Sequence, residues 1–236
     1  MISNKYSPIP FVFVHANKTG GNSINAALEQ YGYKYPNDHE FTHDDILYPH
    51  SQHWTVKELS LVVDIKKYYT FSISRNPWDR MVSYYRKNVC NPLSTSYVDI
   101  EFNDWIDLAF IKKETPEYII TVDDRYSHKG SQYAKKHDGR RDIEECYYYV
   151  IDSDGKIAVD FVIEFSYLKL GFKTVCNKLG IDTALPELTQ MRSDVKTHDG
   201  KFFNIESYHD MYNHKSIGII EKAFENDILM FGYSYE

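Results

Sequence analysis

Phe11-Val12-Phe13-Val14-His15-Ala16-Asn17-Lys18-Thr19-Gly20-Gly21-Asn22-Ser23 is the stretch on which the reading of this chain turns. Phe11 to His15 is a short apolar run of strand-forming residues, the pattern of a buried strand. It passes directly into a turn that carries a lysine and two glycines. Ile24, Ala27, Leu28 and Tyr31 then recur at helical spacing, and Gly32 stands where a helix C-cap would. Strand, glycine-bearing turn and helix, in that order, make a phosphate-binding loop. Lys18 and the first amides of the helix form one anion site, since the helix dipole and its free N–H groups favour negative charge.

A lone glycine loop is a weak signal, and the nucleotide-triphosphate pattern places its lysine after the glycines, whereas Lys18 precedes Gly20 and Gly21. A second junction strengthens it. Tyr68 to Ser74 reads as another strand, ending at Arg75-Asn76-Pro77, and a helix follows from Pro77 to about Lys87 with proline at its first position. Arg75 at the strand's end and Ser83 two turns into the helix make a second compact anion site, with the guanidinium suited to charge-assisted, bidentate contact. Two such sites suit a ligand with anionic groups at both ends.

The remaining chain is read more coarsely. Residues 33–54 are polar and histidine-rich, a loop with room for a short helix. Phe102 to Lys112 has Trp105, Leu108 and Ala109 at helical spacing. Thr121 to Glu145 is strongly polar and is expected to be a long surface loop. Tyr147 to Ile151 and Lys156 to Phe165 flank Asp152-Ser153-Asp154-Gly155, the signature of a β-hairpin. Helices are expected at about 167–179 and 216–230, with an irregular stretch from Pro186 to Asn204. No internal repeat or linker is visible, so residues 1–236 are expected to form a single domain.

Composition bounds the function. The chain has 236 residues, 42% of them hydrophobic, enough for a sizeable core. Its formal charge of −7 speaks against a general binder of nucleic acid or membrane surfaces. Cys90, Cys146 and Cys176 are far apart and form no CxxC pair, so neither a disulfide framework nor a cysteine zinc site is indicated, and a cytoplasmic compartment fits. No run approaches the ~20 apolar residues of a membrane span, and the first ten residues lack the apolar core of a signal peptide. The spacings His39-x-x-x-His43 and His50-x-x-His53, with only Asp44 and Asp45 beside them, are a weak metal signal, and no metal is expected.

The two junctions resemble the signatures of the sulfotransferases that use 3′-phosphoadenosine 5′-phosphosulfate (PAPS), in particular the carbohydrate branch related to uronyl and heparan sulfate 2-O-sulfotransferases. The first signature, close to F-V-H-x-P-K-T-G-G-T-S, is matched from Phe13 to Ser23. Asn17 stands in place of the usual proline and Asn22 in place of a hydroxyl residue. The second, R-N-P-x-D-R-x-V-S-x-Y, is matched from Arg75 to Tyr85. Val159-Asp160-Phe161-Val162, Leu179-Gly180-Ile181, Leu185-Pro186, Asp227-Ile228 and Phe231-Gly232-Tyr233 extend the likeness over most of the chain, although Glu164-Phe165-Ser166 departs from the family's Arg-Phe-Glu.

The resemblance implies an α/β fold with a mainly parallel sheet flanked by helices, the P-loop-kinase-like sulfotransferase fold. It implies that Lys18, Thr19, Gly20, Gly21, Asn22 and Ser23 bind the 5′-phosphosulfate, that Arg75 and Ser83 bind the 3′-phosphate, and that 3′,5′-adenosine bisphosphate is the product left behind. The expected reaction is in-line transfer of a sulfuryl group to a carbohydrate hydroxyl, without a metal.

Such a transfer needs a cation at the leaving oxygen, for which Lys18 is placed, and a base for the attacking hydroxyl. Histidine suits the base, its ordinary pKa lying near neutrality. His53 stands where the related 2-O-sulfotransferases carry theirs, with His50 in reserve. His15 is expected to have a structural or orienting role, and His39 and His43 to be solvated. Asp79 and Arg80 are expected to serve helix packing or ion pairing. Lys135, Lys136, Arg140 and Arg141, with Tyr126 and Tyr133 nearby, suit an acidic glycan as acceptor. Arg192 and Lys196 could close over the nucleotide. A P-loop kinase and a non-catalytic nucleotide- or glycan-binding module are the rival readings.

Overall fold

The computed structural model describes residues 2–3, 7–31, 42–43, 46–47, 53–61, 63–89, 100–112, 144–186 and 207–236. In chain order the regular elements are β1 (Ile2–Ser3), β2 (Phe11–Val14), α1 (Gly21–Leu28), β3 (Thr42–His43), β4 (Ile46–Leu47), α2 (Val56–Leu59), β5 (Tyr69–Ser74) and α3 (Pro77–Tyr84). They continue with α4 (Phe102–Ile106), α5 (Cys146–Val150), β6 (Phe161–Glu164), α6 (Leu168–Leu179), α7 (His214–Ala223) and α8 (Glu225–Phe231). These residues gather into two compact units, one from residues 2–75 and 146–186, the other from 76–112, 144–145 and 207–236.

The first unit is built on a four-stranded sheet of order β1-β2-β5-β6. β2, β5 and β6 run parallel, Val14 pairing with Ser72 and Ser74 with Glu164, and β1 adds an antiparallel edge. Every residue of β2 is fully buried, which is why its sequence is continuously apolar rather than alternating. Phe11, Phe13, Phe71, Ile73 and Ile163 of the strands meet Ile24 and Leu28 of α1 and Phe172, Val175 and Leu179 of α6 in one core. Each such side chain contributes about 1.5–3 kcal/mol by leaving water. The expected α/β class with a mainly parallel sheet and flanking helices is therefore the fold observed.

The buried hydroxyls of Ser72 and Thr70 find partners across the sheet. Ser72 Oγ donates to the Val14 carbonyl at 2.7 Å, and Asp160 Oδ2 accepts from both the amide and the hydroxyl of Thr70, at 2.7 and 2.8 Å. Cys176, on the buried face of α6, has its thiol pushed up to about 11, mainly by burial and further by the nearby Asp182 carboxylate.

Two local expectations are corrected here. Tyr147 to Ile151, expected as the first arm of a hairpin, lies mostly in helix α5 (Cys146–Val150), and β6 pairs parallel with β5 instead. The tyrosine run favours strand, but Cys146, Tyr149 and Val150 are the buried residues, and that spacing is helical. The turn at Asp152 does form, its Oδ1 accepting from the amides of Asp154 and Lys156 at 2.9 Å, and it closes a single bridge between Ile151 and Ile157. In the stretch expected as loop or short helix, Thr42–His43 pairs antiparallel with Ile46–Leu47, and α2 follows, begun by a reciprocal Thr55–Glu58 capping box.

The second unit is helical. α3 opens with Asn76 as N-cap, its Oδ1 accepting from the Trp78 and Asp79 amides at 3.0 and 3.4 Å, and with Pro77 at the first position. It continues in π-type turns through Val89, and α4 does the same through Lys112. Trp78, Met81, Tyr84, Trp105, Ile106, Ile220 and Phe224 form its core, Tyr84 stacking on Trp105 with centroids 5.8 Å apart.

The helix expected over 216–230 is two helices, broken at Phe224. Glu145 restarts the second: its carboxylate is buried and accepts from the amides of Asn226 and Asp227 at 2.8 and 3.2 Å. The end of the polar stretch expected as surface loop is thus a buried cap.

Candidate functional site

The three parallel strands end on the same edge of the sheet, and the residue after each is His15, Arg75 and Phe165 in turn. Open α/β sheets bind ligands beyond the carboxyl ends of their strands. All three residues, the glycine loop and His53 belong to the first unit.

The loop between β2 and α1 departs from ordinary backbone twice. Lys18 has φ 64°, the one described non-glycine residue with positive φ, and Gly20 has φ 85°. A left-handed lysine costs on the order of 1 kcal/mol, so its surroundings must hold it there. Two contacts in the loop do so: Thr19 Oγ1, fully buried, donates to the Ala16 carbonyl at 2.7 Å, and Arg75 Nη1 donates to the Lys18 carbonyl at 2.9 Å.

Gly21, the first residue of α1, has helical φ but no room for a side chain. A Cβ there would lie 2.1 Å from Nε2 of the buried His15 ring. The two positions are made for each other.

The N-terminus of α1 receives no side-chain cap and has no acidic residue in its first turn. Helices satisfy their first amides by a cap, by water or by a ligand. Asn22 is exposed, Ser23 is buried and gives its amide to the Gly20 carbonyl at 3.1 Å, and Lys18 is half-buried beside them. The arrangement can receive an anion from backbone amides and one ammonium group.

Arg75 is held on two sides. Besides its bond to Lys18, its guanidinium carbon lies 4.2 Å from the centroid of the Phe165 ring. His53 lies against His15, with ring centroids 4.5 Å apart, and its Nδ1 is 2.9 Å from the His15 carbonyl. A carbonyl can only accept, so the neutral ring carries its hydrogen on Nδ1 and its basic lone pair on Nε2. His15 in turn stacks on Phe13, with ring centroids 5.4 Å apart.

Of the predicted residues, Lys18, Thr19, Gly20, Gly21, Asn22, Ser23, Arg75 and His53 fall in this unit. Ser83 lies half-buried on α3 in the second. His50, Lys135, Lys136, Arg140, Arg141, Arg192 and Lys196 lie outside the described residues. Arg80 is fully buried and donates from Nη1 to the Glu144 carbonyl at 2.5 Å, the packing role expected of it. Sequence reading gave no role to Phe165, whose signal is its place directly after the third parallel strand. Among the described residues no cluster has metal-ligand composition, and no helix is long and apolar enough to cross a membrane.

A family model described as "Sulfotransferase family" matches residues 7–234, nearly the whole chain. No curated protein and no solved structure matches it. The chain belongs to the sulfotransferase family, and sulfuryl transfer is the chemistry that membership brings with it.

Proposed function

We propose that this member of the family transfers a sulfuryl group from PAPS to a hydroxyl of a carbohydrate. The observation that carries the reading is the uncapped start of α1 behind a left-handed lysine, an anion site with Arg75 as a second cation bonded to the same loop. The acceptor oxygen attacks sulfur in line, and the S–O bond to the 5′-phosphate breaks. Charge on the departing phosphate oxygen is met by the Lys18 ammonium and the α1 amides. The acceptor's proton goes to Nε2 of His53, and the bond from Nδ1 to the His15 carbonyl steadies the imidazolium that results.

Arg75 takes the 3′-phosphate in this reading. The acceptor is an acidic glycan, because Lys135, Lys136, Arg140 and Arg141 concentrate positive charge within a chain of net charge −7. The cysteine usage supports a reducing, cytoplasmic setting.

The test has a binding arm and a turnover arm. 3′,5′-Adenosine bisphosphate should raise the melting temperature more than AMP or ATP at equal concentration. ATP stabilising more than the bisphosphate would favour a kinase. His53→Ala should leave bisphosphate affinity unchanged and lower sulfate transfer by ~10²–10⁴-fold. Full turnover in that variant moves the base to His50, and equal transfer to neutral and acidic glycans removes the acidic acceptor.

A further inference from the structure

Phe165 touches both halves of the anion site with a single side chain. Its ring edge occupies the space that a Cβ on Gly20 would need, with Cε2 2.7 Å from that position. Its face carries the Arg75 guanidinium, 4.2 Å from the ring centroid. Arg75 in turn holds the carbonyl of Lys18, whose left-handed backbone has to be maintained by its neighbours. Phe165 is itself half-buried, placed between the end of β6 and the start of α6, and packed against the core of the first unit.

We propose that Phe165 is a positioning residue for the donor. It makes no bond to the ligand, but one ring sets the height of the glycine turn and the place of the arginine. A guanidinium held over an aromatic face loses freedom to move, so its N–H groups stay closer to one arrangement. The spacing between the 5′ and 3′ anion sites is thereby set before the donor arrives, and less ordering is left to be done on binding. This inference rests on the PAPS reading of the site.

The experiment compares 3′,5′-adenosine bisphosphate with AMP as ligands of the whole chain, by calorimetry. Phe165→Leu fills the space beside Gly20 but offers no aromatic face. It should weaken bisphosphate binding about 3- to 10-fold, the scale of a partly buried cation–π contact, and leave AMP binding unchanged. Phe165→Tyr should restore the bisphosphate preference, because its face is equivalent. Phe165→Met serves as a second apolar filler if the leucine variant does not fold, with the same selective loss expected. Equal losses for the two nucleotides make Phe165 a packing residue only and overturn the proposal, as does no loss at all. A parent protein that binds neither nucleotide overturns the donor reading and the inference with it. A parent that prefers the bisphosphate, beside a leucine variant that keeps the preference, overturns the inference alone.

Discussion

The segments 15–23 and 75–85 are both strand-to-helix junctions rich in polar residues, and they use those residues in opposite ways. In the first, the helix begins without a side-chain cap, the backbone takes two left-handed turns, and a glycine is demanded by a histidine ring 2.1 Å from where its Cβ would be. In the second, Asn76 caps the helix, Pro77 fills its first position, Trp78 Nε1 donates to the Ile217 carbonyl at 3.2 Å, and Arg80 is fully buried on the carbonyl of Glu144. Most polar groups of the second junction are consumed in building it. The first starts its helix without a side-chain cap and bears backbone strain. A motif's polar letters are thus no measure of its ligand contacts; the unsatisfied and strained positions are.

The largest effect that could break this contrast comes from Arg80. Arg80→Ala leaves a cavity and an unanswered carbonyl, and should destabilise the protein by about 3–5 kcal/mol in denaturant unfolding. A loss below 1 kcal/mol would mean that the second junction does not depend on its buried arginine. Next comes Gly21→Ala, expected to cost about 1–3 kcal/mol through collision with His15. Adding His15→Ala should recover most of that, since alanine is otherwise favoured at a helical position. Failure of the double variant to recover would place the fault elsewhere than in that contact.

The smallest effect has the opposite sign. Lys18→Gly should leave stability unchanged or raise it by up to ~1 kcal/mol, as glycine accepts φ 64° freely, while abolishing sulfate transfer. A variant that gained stability and kept its activity would remove Lys18 from the chemistry.

Much of the first unit could be read from residue order. The apolar run of β2 and the helical period after Gly21, like the proline that opens α3 in the second unit, are local signals with local causes, and each element formed where it was expected. What could not be read depends on distant partners. The break at Phe224 is set by Glu145, whose cap on α8 comes from 81 residues away, so no window around 216–230 contains its cause. The tyrosine run at 147–149 carried a strand signal that was overruled when Cys146, Tyr149 and Val150 found a core to face.

The candidate site divides along the same line. Lys18, the glycines and Arg75 were legible because their chemistry is in their side chains or in their lack of one. The pairing of His53 with the His15 carbonyl was only half visible, since the bond spans 38 residues. Phe165 carried no chemical signal, and its part follows from three strands ending on one edge.

Cys176 sits 3% exposed in the first unit's core, its thiol pushed up to about 11. Neutral and enclosed, it cannot meet an alkylating reagent while the core is shut. Its labelling, followed peptide by peptide in a mass spectrometer, therefore acts as a clock for how often α6 lifts from the sheet. Run with and without nucleotide, that clock would report whether filling the loop beyond the strand ends quiets the breathing of the layer behind it.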